Sequence, residues 1–217
     1  MSAYIYHPPE TQIQARRTAP LVIGSPQIGL VLDRSGSMEA IQAEAINGVN
    51  NLLAEQPTDA RFSLVLFNNC VSIVHEAVPI RDVPPLTSDT YVPAGGTALN
   101  DGIGTTIQCV GRHASRLSPT LVGILTDGNE NASDKFGADD IRQMISYRQE
   151  IHGWSFVFLG PASALAYARS IGIPEDHCVS FTASAQGVMT ILDRLRKTVA
   201  AFQLGNRNFA LRLRDKS

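Results

Sequence analysis

Apolar residues alternate along this chain between two textures: short unbroken runs, and stripes spaced three to four residues apart. Ile28-Gly29-Leu30-Val31-Leu32 is an unbroken run of strand length, as expected where both faces of a strand are covered. Met38, Ile41, Ala45, Val49, Leu52 and Leu53 then follow helical spacing, which predicts a helix ending near Pro57. Arg61 to Phe67 reads as the next strand, Asn68-Asn69 as a hairpin turn, and Val71 to Val78 as a more polar strand running antiparallel at the sheet edge. After a loop rich in Pro and Thr, Leu99, Ile103, Ile107 and Val110 form a helical stripe, and Leu121 to Leu125 a buried strand. Asp139 and Asp140 sit where carboxylates favour a helix start, ahead of Ile141, Met144 and Ile145. Trp154 to Leu159 predicts a strand, Ala162 to Ser170 a short helix, and Cys178 to Phe181 a last strand. Ser184 is placed to cap a final helix whose apolar face runs Val188, Ile191, Leu192, Leu195, Val199 and Phe202.

Strands alternating with helices predict an α/β fold: a doubly wound, mostly parallel central sheet, helices on both faces, one antiparallel edge strand. No internal repeat interrupts the pattern. The expected organisation is an extended leader over residues 1–25, one domain over 26–204, and a short basic tail over 205–217. Tyr4-Ile5-Tyr6 in the leader and Phe209 to Leu213 in the tail are expected to pack on the domain or on a second subunit.

In such sheets ligands bind beyond the carboxyl ends of the strands, where the crossover direction switches. The loops there carry Asp33-Arg34-Ser35-Gly36-Ser37, Gly95-Gly96-Thr97 and Thr126-Asp127-Gly128. Asp33, Ser35, Ser37, Thr97 and Asp127 offer two carboxylates and three hydroxyls, with no imidazole and no thiolate. Oxygen-only ligands suit a hard cation: Mg²⁺, with Mn²⁺ as substitute, rather than zinc. Two carboxylates balance a divalent charge, and neutral hydroxyls leave the ion electrophilic toward an external carboxylate. Gly36 is expected to give the first loop the freedom to turn both serines to one point. Read merely as turns, these residues have a simpler role, Ser37 capping the following helix for instance. That reading suits the acids less, since two carboxylates brought together without a cation repel.

The order and spacing of these three loops resemble the metal-ion-dependent adhesion site of von Willebrand factor A domains, as in integrin I domains. The resemblance covers about residues 26–204, and DRSGSM, GGTALND and LTDGNENAS look closest to small stand-alone bacterial or phage members, some associated with stress or tellurite resistance. It implies a metal held by Asp33, Ser35, Ser37, Thr97 and Asp127, some directly and some through water, and capture of a partner's Glu or Asp. The expected function is therefore protein binding, not catalysis.

The alternative is a Mg²⁺-dependent phosphotransferase or phosphatase with Asp33 as nucleophile. Chemistry of the haloacid-dehalogenase type wants a second carboxylate two residues on, where this chain has Ser35, and no lysine stands in the apposed loops. A net charge of -2 gives no basic footprint for nucleic acid, and no phosphate-binding glycine motif follows any strand. The N-terminal Tyr4-Ile5-Tyr6-His7, followed by two prolines, does not read as a signal peptide, no apolar run is long enough to span a bilayer, and Cys70, Cys109 and Cys178 fit reduced, mostly buried thiols. A cytoplasmic location is expected; an adhesion module outside the cell is the competing reading. Asp101 is read either as a helix-start acid or as a water-mediated metal contact, and Glu130 as a metal neighbour or a solvated charge. His75, His113, His152 and His177 share no spacing, and Arg194, Arg196 and Lys197 read as a solvated helix face.

Overall fold

In the computed structural model, which describes residues 24–56 and 59–203, the first strand, β1 (Gln27–Asp33), is buried along its whole length. The chain continues through α1 (Gln42–Ala54), β2 (Arg61–Phe67), β3 (Val71–Pro79), α2 (Leu99–His113), β4 (Thr120–Leu125), α3 (Ala138–His152), β5 (Ser155–Gly160), α4 (Leu165–Ser170), β6 (Cys178–Ser180) and α5 (Ala185–Gln203). The strands form one sheet in the order β3-β2-β1-β4-β5-β6. All neighbours run parallel except β3, which is antiparallel to β2 at the edge. Chain direction across the sheet reverses between β1 and β4, so the switch point lies at the ends of these two strands. Their register sets Leu32 beside Leu125, bringing the residues that follow, Asp33 and Thr126, side by side.

The unbroken runs are unbroken because both sheet faces are covered. Leu30, Leu32, Leu64 and Leu66 share one core with Val49, Leu52, Leu192 and Leu195 of α1 and α5. Val31, Val122, Ile124, Phe156 and Phe158 share the other with residues of α2, α3 and α4. Alternate residues of each strand thus serve opposite layers. α1 and α5 approach closely at Gly48, where a Cβ would stand 2.3 Å from a Leu192 methyl.

Most element boundaries lie within a residue or two of the hydropathic pattern, and the differences have local causes. The stripe starting at Met38 is no single helix: Gly36–Ile41 is a 3-10 turn that precedes α1. Its first amide is committed elsewhere, Gly36 N–H to Gly95 O (3.0 Å), and Met38 N–H closes the first 3-10 bond to Ser35 O (3.1 Å). A 3-10 turn over Ala162–Ala164 likewise precedes α4. Asp140 caps α3 by accepting Gly137 N–H at 2.9 Å, and Ser184 Oγ accepts Gly187 N–H at 3.2 Å in the first turn of α5. All three cysteines are free, but Cys70 is exposed at the β2–β3 turn, so only Cys109 and Cys178 are the buried thiols expected. No helix among the described residues is long and apolar enough to cross a membrane. The expected leader falls outside the described residues except for Gly24 and Ser25, and the expected tail falls wholly outside them.

Candidate metal centre

β1 delivers Asp33 to the switch point with its side chain fully buried. One carboxylate oxygen accepts Ser35 N–H at 2.6 Å, the other the Thr126 hydroxyl at 2.6 Å. The Asp33 carbonyl accepts the hydroxyl of fully buried Tyr91 at 2.5 Å, which fixes the end of the strand from the loop before α2. Ser35 is buried and Ser37 exposed, yet their hydroxyl oxygens lie 3.1 Å apart. Ser37 donates to Asp127 Oδ1 at 2.7 Å, joining loops ninety residues apart. The first and third loops therefore meet.

The second loop is clamped from two sides. On one, Asn69 Oδ1 accepts Gly96 N–H at 2.6 Å, while Asn68 donates to Ala94 O (2.8 Å) and accepts Ala98 N–H on its own carbonyl (2.7 Å). On the other, Thr97 and Asn131 bond reciprocally: Thr97 N–H to Asn131 Oδ1 at 2.9 Å, and Asn131 N–H to Thr97 O at 3.1 Å. Thr97 Oγ1 lies only 3.4 Å from where a Cβ on Gly128 would stand, which puts its hydroxyl against the Asp127-Gly128 turn. Asp33, Ser35, Ser37, Thr97 and Asp127 thus gather at one edge. The glycine that makes this possible is not the expected one. Gly36 has no positive φ, and a Cβ there would make ordinary contacts; Gly95 has φ +77° and leaves no space, a Cβ meeting Asn69 Oδ1 at 2.0 Å.

Electrostatically the cluster is short of positive charge. Burial pushes the Asp33 carboxyl up to about 6, the bonds from Thr126 and Ser35 oppose that rise, and the Asp127 charge adds to it. The same burial, with the Asp33 and Asp127 charges, raises the Tyr91 hydroxyl. Arg34, the nearest guanidinium in sequence, turns away to donate to Ser72 on β3 at 3.1 Å. Among the described residues no three His, Cys, Asp or Glu side chains cluster as metal ligands, so any cation here needs the hydroxyls to complete its shell. Two carboxylates, three hydroxyls and no local cation fit a hard divalent ion.

Two neighbouring acids do different work. Glu130 accepts the amides of Asn100 (2.8 Å), Ala132 (3.0 Å) and Ser133 (2.8 Å) and the Ser133 hydroxyl (2.7 Å), so it is no solvated charge but ties the third loop to the start of α2. Asp101, in the first turn of α2, accepts the amides of Asp134 (3.1 Å), Lys135 (3.0 Å) and Phe136 (2.9 Å) and anchors the loop ahead of α3. Arg196 and Lys197 pair with Asp193 on their own helix, and Arg196 also with Glu55 of α1's end. Sequence reasoning missed Tyr91, Thr126, Asn131 and the Asn68-Asn69 pair as parts of the site. A lone aromatic in a Pro/Thr loop, and asparagines in the β2–β3 turn and just after Thr126-Asp127-Gly128, were the signals available.

No family profile matches this chain. A human protein, calcium-activated chloride channel regulator 4, is 30% identical over 124 residues, covering 52% of this chain and 13% of that protein. Proximal thread matrix protein 1 from the mussel byssus superposes with a TM-score of 0.62 at 19% identity, over 82% of this chain and 46% of that one. A second structure of the same mussel protein, with a TM-score of 0.56 at 15% identity over 83% and 48% of the two chains, has a zinc-occupied MIDAS motif. A von Willebrand factor type A protein from Catenulispora acidiphila gives 0.60 at 13% identity, over 83% and 43% of the two chains. The chain spans about an eighth of the human relative's length and under half of these structures. The likenesses show a von Willebrand factor A fold.

Proposed function

We propose that this chain is a divalent-cation-dependent protein-binding module, in which Asp33, Ser35, Ser37, Thr97 and Asp127 hold Mg²⁺, or Mn²⁺ in its place. The observation that carries the reading is the Ser35–Ser37–Asp127 oxygen chain beside a buried, unneutralised Asp33. A bound divalent ion would supply an electrophilic position for a Glu or Asp carboxylate of a partner protein. The chain's own part is to keep that position in place: Tyr91 fixes the strand end, Thr126 and Ser35 orient the Asp33 carboxylate, and Asn131 with Asn69 holds the Thr97 loop. Such a bridge selects a partner by where it places one carboxylate, and the surrounding surface supplies the remaining affinity.

No observation favours a catalytic reading. Ser35 occupies the place where phosphotransfer through Asp33 wants an acid, and it is spent on the oxygen chain. We keep cytoplasm as the proposed location, on the strength of three free thiols. Calorimetric titration with Mg²⁺ and Mn²⁺, alongside affinity capture from host extract with and without EDTA, tests the proposal. Saturable metal binding and EDTA-sensitive capture of an acidic partner are expected. Capture that survives EDTA unchanged removes the proposal.

A further inference from the structure

At the other end of the sheet, where β4 and β5 begin, lies a cleft of about 480 Å³ lined by Arg116, Leu117, Ser118, His152, Trp154 and Ser155, with Gly153 between. The length of β4 separates it from the carboxylate edge by roughly 20 Å. Trp154 is 3% exposed, and its indole Nε1 is buried without a hydrogen-bond partner among the described residues. Buried donors left in this state are rare. The Arg148 guanidinium lies over the Trp154 ring, 4.6 Å from its centroid.

Two large apolar side chains stand at this cleft in water: Leu117 (46% exposed), which lines it, and Tyr147 (55%), whose ring is edge-on to His152 and lies under the Arg148 guanidinium. No acidic side chain lines the cleft, and neither Arg116 nor Arg148 makes an ion pair among the described residues. Partial burial and these two guanidinium charges hold His152 below its ordinary range, so the positive charge belongs to the arginines. An exposed apolar patch interleaved with unpaired arginines is the composition of a protein-binding surface. The chain's own ends are poor occupants by charge. Residues 1–23 carry Arg16 and Arg17 against Glu10, and residues 204–217 carry Arg207, Arg212, Arg214 and Lys216 against Asp215.

We propose that this cleft docks an acidic segment of a protein partner, with Arg116 and Arg148 meeting its carboxylates and Leu117 and Tyr147 its apolar side chains. When Arg148 turns from the indole to a carboxylate, the surroundings of Trp154 change. Trp154 is the only tryptophan of the chain, so its emission reports the cleft alone. The test titrates the full chain, in EDTA so that the metal edge is silent, with a Glu-rich synthetic peptide carrying a Leu pair, and again with its Gln-for-Glu counterpart. A saturable shift in Trp154 emission is expected for the acidic peptide only, weakened by about tenfold or more in Arg116→Glu and by added salt, and unchanged in Asp127→Ala. Arg116 is exposed, so its replacement leaves the core intact. Equal binding of the Gln peptide, no shift at all, a response confined to phosphatidylserine vesicles, or a shift that follows protein concentration without peptide each overturns the proposal.

Discussion

Two pairs of carboxylates stand around the same sheet edge, and they are satisfied in different ways. Glu130 and Asp101 are surrounded by backbone amides, and every strong contact they make is an N–H or O–H that welcomes negative charge. Asp33 takes a single amide, from Ser35; otherwise Asp33 and Asp127 face hydroxyls and each other, and burial makes ionisation of Asp33 costly. A hydroxyl can donate to a carboxylate or offer its lone pairs to a cation; an amide N–H can only donate. The first pair holds the loops together, and the second is left able to take an ion.

The comparison breaks if exchanging the pairs makes no difference. Asp33→Ala and Asp127→Ala are expected to weaken Mg²⁺ binding by more than about a hundredfold, since removing a group that merely hydrogen-bonds to a ligand already costs about ten- to a hundredfold. Chemical denaturation in EDTA should find Asp127→Ala close to the parent, since the Ser37 hydroxyl it releases is exposed to water, and Asp33→Ala less stable, since the buried Ser35 N–H and Thr126 hydroxyl lose their acceptor.

pH sharpens the same contrast in the metal-free protein. Asp33 titrates near 3.8 when unfolded and at about 6 when folded, so the native state holds more protons between those values. Its contribution is fully present below pH 4 and is lost as pH rises through about 6, by roughly 3 kcal/mol at 1.4 kcal/mol per unit. Urea titrations in EDTA from pH 4 to 7 should show this fall superposed on other groups, and Asp33→Asn should lack it. With Mg²⁺ present the trend should reverse, because the proton and the metal compete for one carboxylate.

Glu130→Ala should do what Asp127→Ala does not. Three amides and a hydroxyl lose their acceptor, which costs about 2 kcal/mol of folding stability. Metal affinity of the folded fraction should change far less than in Asp127→Ala. An equal loss of metal affinity would make Glu130 part of the ion's shell.

The fold was legible because β1, β2, β4 and β5 are buried on both faces and so carry unbroken apolar runs, while α2 and α5 carry a single stripe. Boundaries failed where the backbone answers to a distant loop: the 3-10 turn after Ser35 exists because Gly36 N–H is bound to Gly95 O, a pairing no local pattern encodes. The same holds for the site. The five oxygen-bearing residues stand out by type and position, but what positions them is tertiary: Asn131 acts through Thr97, Tyr91 through the Asp33 carbonyl. The role of Gly36 was misjudged because a glycine in a turn reads alike whether it needs positive φ or not; Gly95 needs it.

Asn131 offers a milder test, since it holds a ligand loop and touches no ligand atom of the acids. Asn131→Ala removes the acceptor of Thr97 N–H, and about a tenfold loss of Mg²⁺ affinity is expected. Asn131→Asp keeps an acceptor in that place and should recover most of the affinity. Equal losses in both would point to general disorder of the loop.

The smallest effect is expected at Tyr91, and it separates positioning from packing. Tyr91→Phe keeps the ring in the core and deletes one hydroxyl, leaving the Asp33 carbonyl without that donor. Stability should fall by about 1 kcal/mol, the worth of one buried hydrogen bond. If the hydroxyl fixes where the strand hands over to the ligand loop, Mg²⁺ affinity should fall by more than stability does when both are read on one free-energy scale. If Tyr91 only fills space, calorimetry should return the parent affinity. The strand end is then held by its sheet register with Phe67 and by the bonds from Ser35 and Thr126 to the Asp33 carboxylate, and Tyr91 contributes packing to the site rather than geometry.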